Sequence, residues 1–221
     1  MGRYRSQQIA FRTSRVEEPV AWADRPPAEY NTGRTICCSP LVTGQSYFYM
    51  VSDGTYWRPV GGDQVVYNLA APIDMALNSN NQKVVSIPFP ALLMPDGRAM
   101  VEVTMGWDKL AGTSDTLLTS VYFGTADTTS DQLAFPQSSL VTTNIVFGVV
   151  QKFARISATT TRKLGSTTIA TFSGVGTSAR VAAVTVGNMG TTTNYLGVYG
   201  KMTTGTTEYG QLHALTVRLI G

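Results

Sequence analysis

The sequence predicts an all-β protein: an antiparallel β-sandwich of jelly-roll type, preceded by an extended N-terminal arm and a small β-hairpin. Three observations lead there. Charged residues are only 14% of the chain, against roughly 25% in ordinary soluble domains, while hydrophobic residues make up 43%. The missing charge is replaced by Thr, Ser, Asn, Gln and Gly, which suits strands with neutral outer faces better than helices, whose exposed faces carry Glu, Lys and Arg. Past residue 62, short β-prone runs alternate with compact turn signals. Between residues 47 and 60, an Asp-Gly pair separates two aromatic runs.

Residues 1–36 form the arm. They show neither a helical nor an alternating period, and Pro19, Pro26 and Pro27 interrupt the one candidate helix. Its apolar residues are too few for a core, so the arm is expected to take its order from partner chains. It concentrates arginine (Arg3, Arg5, Arg12, Arg15, Arg25 and Arg34), which contributes to a net charge of +3 and a pI near 8.9. Glu17, Glu18, Asp24 and Glu29 dilute that charge. No basic stripe interleaved with aromatics follows, so acidic groups on protein are the expected partners rather than nucleic acid. The expected interface residues of the arm are Arg3, Arg5, Arg12, Arg15, Trp22 and Arg25.

Residues 37–62 form the hairpin connector. Tyr47-Phe48-Tyr49-Met50-Val51 and Tyr56-Trp57-Arg58-Pro59-Val60 flank Asp53-Gly54, and a type I′ turn is expected because both its central positions need φ > 0. Pro59 and Gly61-Gly62 end the second strand. A lone hairpin is marginal, so this one must pack on a neighbour, and Tyr47, Tyr49, Tyr56, Trp57 and Arg58 are its expected interface residues. Cys37 and Cys38 are adjacent. Neighbouring cysteines join only in a strained ring, which leaves two small half-buried residues or a crosslink to another subunit.

Residues 63–221 form the sandwich, with strands expected over 64–69, 83–89, 99–106, 116–124, 145–156, 167–172, 180–186, 195–202 and 211–219. Pro95-Asp96-Gly97, Ala111-Gly112-Thr113-Ser114, Ser173-Gly174-Val175-Gly176, Gly187-Asn188-Met189-Gly190 and Thr203-Thr204-Gly205-Thr206 separate them. The last strand alternates, with Leu212, Ala214, Thr216, Arg218 and Ile220 on one face and His213, Leu215, Val217 and Leu219 on the other. Ala91-Leu92-Leu93-Met94 reads as a helical turn.

Catalytic chemistry is sparse. His213 is the one histidine. There is no nucleophile elbow, P-loop or metal-spaced His/Cys/Asp cluster, and no cofactor or metal is expected. Glu102, Asp108, Asp115, Asp127 and Asp131 offer acids for glycoside hydrolysis or calcium, yet four of the five lie in turn-like sequence, where Asp serves its own backbone. Trp107-Asp108 and Asn194-Tyr195 are loop-tip candidates for carbohydrate contact. No run reaches the ~18 apolar residues of a membrane span, and the N-terminus lacks the apolar core of a signal peptide.

Val51-Ser52-Asp53-Gly54-Thr55-Tyr56-Trp57-Arg58-Pro59-Val60 resembles a short hairpin motif of tailed-bacteriophage virion proteins. Ile87-Pro88-Phe89-Pro90, then Leu92-Leu93-Met94-Pro95-Asp96-Gly97 and Thr-rich strands, are similar to the downstream layout in that group. The resemblance covers roughly residues 47–221. It implies a fibre, spike or capsid-decoration component with a jelly-roll head, a homotrimer made in the host cytoplasm and located in the virion. The implied partners are capsid, collar or tail subunits and a host surface glycan. It supplies no catalytic residue. A host-receptor binding module of the tail is the alternative, and a polysaccharide-degrading enzyme the less favoured one.

Overall fold

A computed structural model describes residues 18–75, 80–109, 115–140, 147–168, 184–203 and 210–221. The described chain is almost entirely strand: β1 Thr35–Cys38, β2 Phe48–Ser52, β3 Trp57–Pro59, β4 Asp63–Asn68, β5 Ile73–Asp74, β6 Gln82–Phe89 and β7 Met100–Lys109 come first. β8 Leu117–Gly124, β9 Gln132–Leu140, β10 Phe147–Ser157, β11 Thr160–Thr168, β12 Val184–Thr185, β13 Asn194–Met202 and β14 Gly210–Ile220 follow. All-β architecture with antiparallel strand pairing is therefore what the molecule has. Short 3₁₀ turns, Trp22–Asp24 and Ala28–Tyr30, precede β1.

Two sheets make the sandwich. The larger runs β12-β11-β10-β7-β14-β4, with β5 also on β14; the smaller runs β6-β13-β8-β9. Alternation buries Val101, Val103, Met105 and Trp107 of β7 and Leu215, Val217 and Leu219 of β14 against Val85, Ile87, Phe123, Leu196 and Val198 of the opposing sheet. Phe123 of β8 meets Phe153 of β10 at 5.1 Å between ring centroids, and Phe89 edge-on at 5.6 Å. At Gly200 of β13 the sheets approach so closely that a Cβ would lie 2.5 Å from the Met75 sulfur and 3.1 Å from the Trp107 ring.

Several expectations are corrected. β14 does not alternate without break: a β-bulge between Leu212 and Ala214, opposite Trp107 and Gly106, turns Leu212 and Leu215 both inward and leaves His213 and Ala214 outside. Gly106 does not end its strand, which continues to Lys109 and carries Trp107 into the core, 0% exposed. β9 falls where no strand was expected. The strands expected at 167–172 and 180–186 lie mostly outside the described residues, as do Ala111-Gly112-Thr113-Ser114 and Ser173-Gly174-Val175-Gly176. Ala91–Met94 is a tight turn rather than a helical one: Leu93 N–H donates to the Pro90 carbonyl at 3.1 Å, and Leu92 sits at φ +65°.

The segment before the sandwich is a third sheet, β1-β2-β3, which we term the platform. The 36/37 boundary falls inside β1, whereas residue 63 does begin the first sandwich strand. The hairpin forms, but not with a two-residue type I′ turn. Ser52 pairs with Trp57 across a four-residue loop in which Gly54 alone has positive φ, +93°. The Asp53 carboxylate explains the longer loop, accepting from the Thr55 and Tyr56 backbone N–H groups at 2.8 and 2.7 Å.

Candidate functional site

The platform meets the sandwich at the turn over residues 90–98, which Arg58 of the hairpin reaches through Asp96, while Tyr56 and Trp57 line a cleft with Leu92. Ile36, Cys38, Phe48, Met50 and Trp57 fill the platform's inner face. Arg58, on β3, would be expected to point to water; it is 8% exposed. Its Nε donates to Asp53 at 2.9 Å, and its two Nη atoms grip Asp96 at 2.9 and 2.5 Å. This two-pronged bond ties the hairpin to the Pro95-Asp96-Gly97 turn across 38 residues of sequence. Arg98, largely exposed, reaches Asp53 and Asp96 at 3.4 and 3.3 Å and closes a ring of two arginines and two aspartates. The hydrogen bonds from Arg58 hold the Asp96 carboxyl well below the ordinary range, and Asp96 in turn raises the Arg58 guanidinium. At Asp53, burial pushes upward but is outweighed by the Tyr56, Thr55 and Arg58 hydrogen bonds, and the net shift is down.

Residues 18–34 fold onto the same turn. Val20 bridges Cys38 in parallel, its N–H donating to the Cys37 carbonyl at 2.9 Å. Trp22 is 5% exposed, packs 6.3 Å from Phe48 and donates Nε1–H to the Ala91 carbonyl at 2.8 Å. Arg25 stacks 4.1 Å over the Trp22 ring and donates to the Trp22 carbonyl at 2.5 Å. Trp57 Nε1–H donates to the Pro26 carbonyl at 2.9 Å, and the Ser52 hydroxyl to that of Ala28 at 2.7 Å. Trp22 and Arg25, expected to meet partner chains, thus spend their contacts inside this chain. Arg3, Arg5, Arg12 and Arg15 lie outside the described residues.

Of the expected interface residues, Tyr47 and Tyr49 do face outward, joined by Tyr30 and Val65. Tyr47 and Tyr49 are 55% and 48% exposed, Tyr30 81% and Val65 36%. Tyr56 is half-buried, with Arg58 5.4 Å from its ring centroid. Tyr30 carries no sequence signal, because the stretch around it has no period that would assign it to an inner or an outer face. The two cysteines separate as alternate strand residues must: Cys38 is buried, its thiol pushed up to about 12 by burial and then by Cys37, while Cys37 is half-exposed beside Tyr49.

No protein-family model matches the chain, and no curated protein is detectably similar to it. Two solved structures show a distant likeness. One is the CBM2 module of the evolved Dit of Lactobacillus casei BL23 phage J-1, with 6% identity over 68% of this chain and 75% of that one and a TM-score of 0.32. The other is the infectious bursal disease virus Gx strain, with 9% identity over 81% of this chain and 44% of that one and a TM-score of 0.22. One is a phage protein and the other viral, but likeness this slight carries no argument about fold or function.

The remaining candidates are engaged locally. Glu102 pairs with Lys152 at 2.8 Å, and Asp108 with His213 at 3.4 Å. Asp115 accepts from Thr116 N–H at 2.8 Å and from the Thr203 hydroxyl. Asp127 receives Lys83 at 2.7 Å and Ser86 at 2.8 Å, and Asp131 receives the Ala126 N–H at 2.9 Å. Among the described residues no three His, Cys, Asp or Glu side chains cluster to hold a metal, and no helix is long and apolar enough to cross a membrane. Trp107 and Asn194 cannot meet a glycan from loop tips, being 0% and 1% exposed; Tyr195 remains partly exposed.

A cleft lies on the outer side of the junction. Its volume is about 330 Å³, and its walls come from the Ala23–Glu29 stretch, from Thr55–Trp57 of the hairpin and from Leu92.

Proposed function

We propose that this chain is a non-enzymatic structural component of a tailed-bacteriophage virion, a fibre, spike or capsid-decoration protein. In this reading the segment upstream of residue 18 anchors it to capsid, collar or tail subunits, the platform orients it and the β-sandwich projects outward. The observation that carries the reading is the Arg58–Asp96 clamp. The two stretches that resemble phage virion motifs stand far apart in sequence, and in the fold they bind each other through their most distinctive charged residues. A head that must stand at a fixed angle on a particle needs such a rigid joint between anchor and projection.

Low charge and neutral strand faces support the same reading, since an assembled particle covers much of its components' surface. Exposed Tyr30, Tyr47 and Tyr49 supply large amphipathic contacts of the sort enriched at protein interfaces. A homotrimer follows from the resemblance and belongs to the proposal.

The test compares the full chain with one lacking residues 1–17, a cut that spares Trp22 and β1. Native mass spectrometry should find both as trimers, each at three times its own chain mass, and only the full chain should co-sediment with particles lacking the protein. Particle binding by the truncated chain, or monomers in both cases, would overturn the anchoring reading.

A further inference from the structure

We infer that the junction cleft is a binding site for a neutral saccharide. It differs from the loop tips where the sequence placed glycan contact, and it stands apart from the anchoring reading.

At about 330 Å³ the cleft lies at the low end of the roughly 300–1,000 Å³ range of small-ligand sites, and such sites favour junctions between structural units. It is built, not left over. Trp57 fixes the Pro26 carbonyl, the Asn31 side chain fixes that of Pro27 at 2.7 Å, and Ser52 fixes that of Ala28. Across the cleft, Leu92 N–H donates to the Met189 carbonyl at 2.7 Å and holds Leu92 at φ +65°. A branched side chain gains nothing intrinsically from left-handed backbone, and strain of this kind gathers where a chain clamps a ligand.

The chemistry of the walls selects the class. Pro26, Pro27 and Leu92 give an apolar surface for the C–H face of a sugar ring, with the Tyr56 ring beside it. Glu29 stands exposed on the rim, where a carboxylate accepts from two hydroxyls at once. Arg25 is the opposing charge, already partly satisfied by the Trp22 carbonyl and stacked on the Trp22 ring. One acid and one base cancel, so a phosphate or a polycation gains little. A hydroxyl-rich neutral ligand uses both.

The experiment is saturation-transfer NMR and titration calorimetry on the full chain with cellobiose, lactose, maltose and N,N′-diacetylchitobiose, and with a proline-rich decapeptide as the competing class. At least one disaccharide should bind saturably. Both at exposed positions, Glu29→Ala should weaken it about tenfold, the loss of one charge-assisted hydrogen bond, and Thr55→Val about threefold to fivefold, the loss of a neutral one, with unfolding unchanged. Absence of saturable disaccharide binding, affinity unaltered in both variants, or binding of the peptide alone would each overturn the inference. None of these outcomes touches particle attachment, which the truncation measures separately.

Discussion

Replacing Asp96 by Ala should destabilise the protein by about 2–4 kcal/mol. The change removes the two-pronged acceptor of a guanidinium whose side chain is 9% exposed and leaves it paired with Asp53 at 2.9 Å. Breaking a buried pair from one side costs about 3–5 kcal/mol, because the surviving charge stays desolvated. Asp96 itself is 27% exposed and Asp53 still pairs with Arg58, so water entering the gap and the surviving pair recover part of that, and the loss comes down by about 1 kcal/mol to about 2–4 kcal/mol. Arg98, 71% exposed, contributes little either way. Urea unfolding followed by tryptophan fluorescence is the assay. Trp22 and Trp57 report on the platform and Trp107 on the sandwich interior, so single-tryptophan variants also show whether both parts melt together. In a double-mutant cycle with Arg58→Ala the coupling should exceed about 1 kcal/mol. A loss below about 0.5 kcal/mol with additive single changes would refute the clamp, since that is the level of an ordinary surface substitution.

Other consequences are direct. Asp53 and Asp96 are both held below the ordinary carboxylate range, so the stability they add is complete above the unfolded carboxyl values near about pH 4 and is lost as pH falls through their folded values. Acid titration of wild type and Asp96→Asn should therefore show a shallower acid-side decline in the variant. Iodoacetamide at pH 8 should label Cys37 and spare Cys38, whose thiol is buried and pushed up to about 12; unfolding should expose both, and peptide mass mapping distinguishes them. Gly200→Val should cost about 1–3 kcal/mol in the same urea assay, because its Cβ would press on the Met75 sulfur and the Trp107 ring.

What the sequence reveals and hides divides along the range of the interactions. The hairpin was legible because Asp-Gly between aromatics is a local signal. Its turn type was not, because Asp53 organises the loop through a side chain that serves two backbone N–H groups and Arg58. The end of β7 is where the reading departs from the structure: Gly106 reads as a strand end, and nothing local says that it sits opposite the β14 bulge with the strand continuing. The bulge does leave a trace, because Leu212 stands out of phase with Leu215, Val217 and Leu219, but reading the strand as one unbroken alternation hides it. Residues 18–34 have no period, so their attachment through Trp22 and Trp57 to distant carbonyls could not be inferred. Arg58 did carry a signal, an arginine between Trp and Pro in an otherwise neutral strand, but its partner lay 38 positions away.

A buried ion pair at the joint raises the question of why the contact is not apolar, which would be at least as stable. Replacing such pairs by well-packed hydrophobic residues is often neutral or stabilising by about 1–4 kcal/mol, so stability alone does not account for Arg58 and Asp96. Direction does. A guanidinium gripping a carboxylate in one plane fixes the angle between platform and sandwich, whereas two apolar side chains slide over one another. The double variant Arg58→Met with Asp96→Leu should accordingly match wild-type stability within about 1 kcal/mol or exceed it, while incorporating poorly into particles. Incorporation at the wild-type level would mean that the joint need not be rigid, and the orienting role assigned to the platform would fall with it.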